Sequence, residues 1–83
     1  MEIQDVRQIV EACTAFKDLM KVEEPNDRFD CIRIIIFTEL NAVRCVINCT
    51  DFSCIFYASP RFTCEELEAL SNFVRALYYY SEH

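Results

Sequence analysis

The chain has 83 residues, which is enough for one domain spanning residues 1–83. Apolar residues make up 53% of it, so we expect a folded core rather than disorder. Eight basic and 14 acidic side chains give a net charge of −6, which disfavours direct binding to nucleic acid or to an anionic membrane. There is no glycine, and the only histidine is His83. Glycine-based phosphate loops and histidine-based catalytic triads are therefore not expected, and we predict a non-enzymatic binding protein without a cofactor.

An amphipathic helix is predicted over residues 2–22. Its apolar side chains recur at steps of three and four residues, which places them on one helical face. The helix should end before Pro25, whose ring disfavours helical geometry at the preceding residue. The predicted stripe consists of Ile3, Val6, Val10, Cys13, Phe16 and Met20.

Three short runs rich in β-branched and aromatic residues follow, over residues 29–39, 43–50 and 53–58. Such brief connections predict an antiparallel meander. A two-residue turn at residues 51–52 would pair Cys49 with Cys54, Ile47 with Phe56 and Cys45 with Ala58, all on one face. If the earlier turn also has two residues, that face includes Ile32, Ile34 and Ile36.

A second helix is predicted to start at Thr63, because Thr63 and Glu66 fit a capping box. Its predicted buried stripe is Leu67, Leu70, Val74, Leu77 and Tyr78, with Phe73 at the margin. The expected fold is thus α+β: a helix, a three-stranded antiparallel meander and a helix.

The six cysteines leave three interpretations open. The first residues lack the basic and apolar regions of a signal peptide, so we expect the cytoplasm, where thiols stay reduced and pack as small apolar groups. A disulfide or redox pair is the second interpretation, with Cys49 and Cys54 as its candidate. A zinc module is the third, although no Cys-x-x-Cys pair occurs. The cysteines are Cys13, Cys31, Cys45, Cys49, Cys54 and Cys64.

The second face of the predicted sheet is unusually apolar for a solvent-exposed face. It would carry Ile35, Phe37, Val46, Ile55 and Tyr57 beside Arg33 and Arg44. Either the two helices cover opposite faces of the sheet, or this face meets a partner. A self-associating module that dimerises through this outer face is therefore one alternative function.

Acidic side chains form two groups that are candidates for partner binding. Solvation and the helix dipole explain acids in a turn or in a first helical turn, and a basic groove on another protein would also attract them. Tyr79 is predicted to project outward and to offer apolar area together with a hydroxyl. The acidic candidates are Glu23, Glu24, Asp27 and Asp30 near the first turn, and Glu65 and Glu68 in the second helix.

An acidic one-domain chain with this order of elements resembles the small anti-CRISPR proteins of phages and mobile elements. The resemblance covers the whole chain in architecture and charge. It implies an inhibitor that occupies a basic, nucleic-acid-handling surface of a target protein in the host cytoplasm. It also implies that the two acidic groups are the first residues to mutate.

Overall fold

The computed structural model describes residues 2–57 and 61–82, which form a small α+β domain with a four-stranded antiparallel sheet and two helices. The predicted class is confirmed. Neither helix in these two ranges is long and apolar enough to cross a membrane. The elements in chain order are α1 (Ile3–Ala12), β1 (Met20–Glu23), β2 (Arg33–Phe37), β3 (Val43–Asn48), β4 (Cys54–Phe56) and α2 (Cys64–Glu82).

The prediction of one helix over residues 2–22 is wrong beyond Ala12. Helix α1 ends there, and the chain turns with Asp18 in the left-handed region at a φ of 64°. The segment that follows enters the sheet as β1, where the Phe37 amide donates to the Leu19 carbonyl at 2.8 Å. This pairing gives hydrogen-bond partners to the backbone groups on the open side of β2. The spacing of apolar residues along the chain cannot reveal such hydrogen bonds between distant segments. The sheet therefore has four strands, in the order β1-β2-β3-β4, instead of three.

The predicted register of the last hairpin is wrong by two residues. Ile47 lies opposite Cys54 and Cys45 lies opposite Phe56. The loop is longer than the expected two residues, because the Asn48 amide donates to the Ser53 carbonyl across it. A shift of two residues keeps each side chain on its predicted face. The predicted pairing partner Ala58 lies outside the described residues.

Both helices pack on the same face of the sheet. The core contains the predicted isoleucines and cysteines of β2 and β3, and Ile32 packs against it. Helix α2 is rotated from the prediction, since Phe73 is buried while Leu67 and Tyr78 are exposed. The buried core residues are Val6, Phe16, Ile34, Ile36, Cys45, Ile47, Cys49, Leu70, Phe73 and Leu77.

Candidate functional site

Large apolar side chains are exposed mainly on β4, the residue after it, and α2. Leu40, in the turn before β3, is the one member of the set that lies elsewhere. Such a concentration on two neighbouring elements is typical of an interaction surface rather than of scattered surface apolar residues. The others are Ile55, Phe56, Tyr57, Leu67, Tyr78, Tyr79 and Tyr80.

A groove of about 440 Å³ lies between β4 and α2. One wall is formed by a stripe of α2 whose members recur at steps of three and four residues and so lie on one side of the helix. This stripe consists of Leu67, Leu70, Ser71, Val74, Arg75 and Tyr78. Cys54 and Phe56 belong to the opposite wall, since both lie on the face of the sheet that the helices cover. The lining residues are Phe52, Cys54, Phe56, Leu67, Leu70, Ser71, Val74, Arg75 and Tyr78.

Aromatic contacts hold the two ends of the groove. The Phe52 ring meets the Tyr78 ring edge to face with centroids 5.5 Å apart, and Phe56 meets Phe62 at 5.8 Å. The start of β4 therefore lies beside the end of α2, and the end of β4 lies beside the start of α2. Phe62 also packs on Phe16 at 6.0 Å, which ties this wall to the core.

Strand β4 forms one edge of the sheet. The Ser53 carbonyl accepts from the Asn48 amide, and the Tyr57 amide donates to the Arg44 carbonyl at 3.1 Å. In an antiparallel ladder every second residue exchanges hydrogen bonds with its neighbour, so Ser53, Ile55 and Tyr57 face β3. The amides and carbonyls of Cys54 and Phe56 consequently point toward the open edge beside the groove.

Arg44 fixes the start of α2. The alternation of residues in the sequence predicted this side chain on the outer face of the sheet. That placement is wrong: the β2–β3 register shifts after Ile36, and the guanidinium bonds Glu66 of α2 instead. It lies 4.0 Å from the Phe62 ring centroid. The Thr63 amide donates to Glu66 at 2.9 Å and the Glu66 amide donates to the Thr63 hydroxyl at 3.1 Å, so the predicted capping box is present.

The Glu66 carboxylate is the most strongly perturbed acid in this part of the domain. Hydrogen bonds from Arg44, and then from the Thr63 amide, lower the pKa of Glu66 to about 2. The same pair raises the pKa of Arg44. Glu66 is thus a structural partner of Arg44, and its charge is not available to a ligand.

The predicted acidic candidates differ in how free their charges are. Glu23 bonds Arg33, and Glu24 lies 3.5 Å from Arg7, so these two charges are partly neutralised. The remaining candidates are exposed: Asp27 and Asp30 before β2, and Glu65 and Glu68 at the start of α2. Tyr79 is also exposed.

The predicted dimer face offers less exposed surface than its composition indicates. Ile35 and Val46 are each only 9% exposed although neither belongs to the main core, and Phe37 is half-buried. Arg33 contributes to this surface by lying over the Phe29 ring at 3.6 Å. Ile55 and Tyr57 are the two exposed members, and both adjoin the β4 edge.

The six thiols are free, so the candidate disulfide between Cys49 and Cys54, the second interpretation of the cysteines, is not present. Because the register differs by two residues, Cys54 has Cys45 as its thiol neighbour instead of Cys49. Burial raises the pKa of Cys45 to about 12 and that of Cys49 to about 11. No three Cys, Asp, Glu or His side chains come together as a metal-binding group within residues 2–57 and 61–82.

Comparisons with protein-family models, with curated proteins and with solved structures find no match for this chain. The candidate site therefore depends on geometry alone. Sequence reasoning missed the groove, since it placed Leu67 and Tyr78 in the core and gave no binding role to Ser71 or Arg75. The available signal was the polar pair Ser71 and Arg75 within an otherwise apolar stripe of α2.

Proposed function

We propose that this chain is a non-enzymatic protein-binding domain. The observation that carries the proposal is the concentration of exposed apolar side chains on β4 and α2. Burying apolar surface is the main driving force of protein association, and tyrosine is enriched at the residues that contribute most to binding. Tyr78, Tyr79 and Tyr80 supply three such side chains in succession near the end of α2.

The narrower proposal is an inhibitor that acts in the host cytoplasm and occupies a basic, nucleic-acid-handling surface of another protein. The net charge of −6 and the exposed carboxylates of Asp27, Asp30, Glu65 and Glu68 support it. Charges of this kind speed the encounter with a basic partner and make the association rate sensitive to salt.

Affinity capture with the immobilised chain, followed by purification of the captured protein, tests the general proposal. Hydrogen-exchange mass spectrometry of the purified complex should show protection on β4 and α2. Protection confined to β1 and α1 would contradict the proposed surface, and the absence of any captured protein would contradict the proposed function. Sedimentation of the chain alone shows whether the captured partner is merely a second copy.

Charge reversal tests the narrower proposal. The double variant Glu65→Lys/Glu68→Lys should slow association with the captured protein and flatten its salt dependence, and nucleic acid should compete for the same surface. Glu11→Lys/Glu39→Lys is the matched control, because it changes the net charge equally at exposed sites outside β4 and α2. Equal association rates for the two double variants, or no competition by nucleic acid, would contradict the inhibitor mechanism.

A further inference from the structure

We propose that the groove between β4 and α2 binds an extended segment of another protein, which adds as an antiparallel strand to the β4 edge and places a carboxylate at Arg75. This inference rests on the proposed protein-binding function and specifies its ligand. It combines three features that lie together: an open strand edge, an apolar groove and one cation.

The strand edge supplies the main-chain contacts. Because Ser53, Ile55 and Tyr57 are the residues that face β3, the donors and acceptors of Cys54 and Phe56 are directed at a ligand lying along the edge. An extended segment satisfies both residues at once, whereas a helical ligand has no free backbone groups to offer. The opposite edge, β1, carries Lys21 and Glu23, charged side chains that discourage strand addition.

The groove supplies the side-chain contacts. Leu70 and Val74 belong to the packed part of α2, and Leu67 and Tyr78 stand exposed near the two ends of the stripe. An added strand directs every second side chain to one face of the sheet. Its alternate residues would therefore enter the groove, and the lining favours apolar side chains there.

Arg75 sets the direction of the segment. It is the only charged residue in the lining, and no carboxylate of residues 2–57 or 61–82 lies within ion-pair distance of it. It lies toward the end of α2, where Tyr78 meets Phe52 beside the start of β4. A strand antiparallel to β4 ends at this side, so its carboxyl end approaches Arg75. A terminal carboxylate or an Asp or Glu side chain near that end supplies the same chemistry.

A second copy of this chain fits the site less well. In an antiparallel β4–β4 pair, the end of β4 of one copy approaches Arg75 of the other. Strand β4 and Tyr57 contain no acidic residue. Charge complementarity therefore favours a segment of a different protein, with a carboxylate where the end of β4 has none.

Selection from a library of random peptides displayed with free carboxyl ends tests the inference. The chain should enrich peptides with alternate apolar residues and a carboxylate near the end, and their binding should shift the amide resonances of Cys54 and Phe56. No enrichment over an unrelated protein, or binding that leaves these two amides unmoved, would overturn it.

Two variants provide a matched comparison. Ser71→Glu places a carboxylate four residues before Arg75, where it pairs with that cation and charges the groove without weakening the helix. We expect it to weaken peptide binding at least tenfold. Ala76→Glu adds the same charge at an exposed position that is outside the lining and is not three or four residues from Arg75, so it should bind as the wild type does. Equal binding by the two variants would overturn the assignment of the groove.

Modified peptides separate the three contacts. Amidation of the terminal carboxylate should weaken binding if that group meets Arg75, whereas exchange of an acidic side chain for its amide should do so if the side chain is the source. If neither change weakens binding, the role of Arg75 is contradicted.

N-methylation of every second peptide amide tests the main-chain contacts. Methylation of the set of amides that faces β4 should abolish binding, and methylation of the other set should leave binding intact. If no peptide binds but the captured protein still protects β4 and α2, the strand-addition inference fails while the proposed function stands.

Discussion

The Arg44 guanidinium holds both carboxylate oxygens of Glu66, with 2.7 Å from Nη1 to Oε2 and 2.9 Å from Nη2 to Oε1. Arg44 lies on β3 and is only 8% exposed, while Glu66 lies in the first turn of α2. The Nη2 group also donates to the Arg61 carbonyl at 3.0 Å. This one side chain therefore fixes the start of α2 against the sheet, and with it one end of the groove.

Replacing Glu66 by Gln should lower the free energy of unfolding at neutral pH by about 1–3 kcal/mol, because a nearly buried guanidinium loses its charged partner. Glu65→Gln, at the exposed neighbouring position, should cost less than about 1 kcal/mol through the helix dipole alone. Urea unfolding followed by circular dichroism measures both. Equal losses for the two variants would contradict the structural role of the Arg44–Glu66 pair.

The same pair predicts how acid affects stability. The folded pKa of Glu66, about 2, lies below its ordinary value of 4.5, so its contribution is complete above pH 4.5 and is lost as the pH falls toward 2. The difference in unfolding free energy between the wild type and Glu66→Gln should accordingly shrink over that interval. A difference that stays constant from neutral pH to pH 2 would show that the carboxylate charge is not the cause.

The features that depend on local sequence could be predicted. The Thr63–Glu66 capping box and the inward face of β2 and β3 each follow from residues close together in the chain. The capping box needs only the spacing of a hydroxyl and a carboxylate, and the strand faces need only alternation. The acidic groups were also visible, although the pairing of Glu23 with Arg33 and of Glu24 with Arg7 was not.

The features that depend on distant partners could not be predicted. Strand β1 forms because β2 has an open side, although its residues continue the periodicity of a helix. The hairpin register depends on a loop in which Phe52 takes a φ of 61°, a conformation that nothing in its residue type signals. The groove appears only when α2 is rotated to bury Phe73, which leaves Leu67 and Tyr78 outside the core.

The chain contains no glycine, yet Asp18, Asn41 and Phe52 adopt left-handed backbone conformations. Left-handed geometry costs a residue with a Cβ atom roughly 1–2 kcal/mol, and a short polar side chain relieves part of that cost. Asp18→Gly should therefore be at least as stable as the wild type, and Asp18→Ala should be about 1 kcal/mol less stable than Asp18→Gly.

The neighbouring Lys17 is exposed and is not in the left-handed region, so there alanine should be more stable than glycine. Urea unfolding of the four variants measures both orders. The same preference for glycine at both positions would contradict the assigned turn geometry.

The thiols should differ in reactivity according to their burial. The thiolate is the reactive form, and burial raises the pKa of Cys45 to about 12 and of Cys49 to about 11. Cys64 is exposed at the start of α2. Brief treatment with iodoacetamide at about pH 8 should thus alkylate Cys64 well before Cys45 and Cys49. Peptide mapping by mass spectrometry reads out the order, which should disappear in urea; early alkylation of Cys45 in the folded chain would show that the core is open.

The Tyr80 hydroxyl joins the end of α2 to the start of α1 by donating to Asp5 Oδ1 at 2.9 Å. This hydrogen bond, together with the negative charge of Asp5, raises the pKa of Tyr80 above 10.0. Its contribution to stability is therefore present below pH 10 and is lost as the pH rises through the folded pKa. In Asp5→Asn, tyrosinate absorbance should start to rise at a lower pH than in the wild type. Glu11→Gln removes an equal charge from the exposed side of α1 and should leave the titration unchanged. If the two variants titrate alike, the effect belongs to net charge and the link between the two helices is not formed in solution.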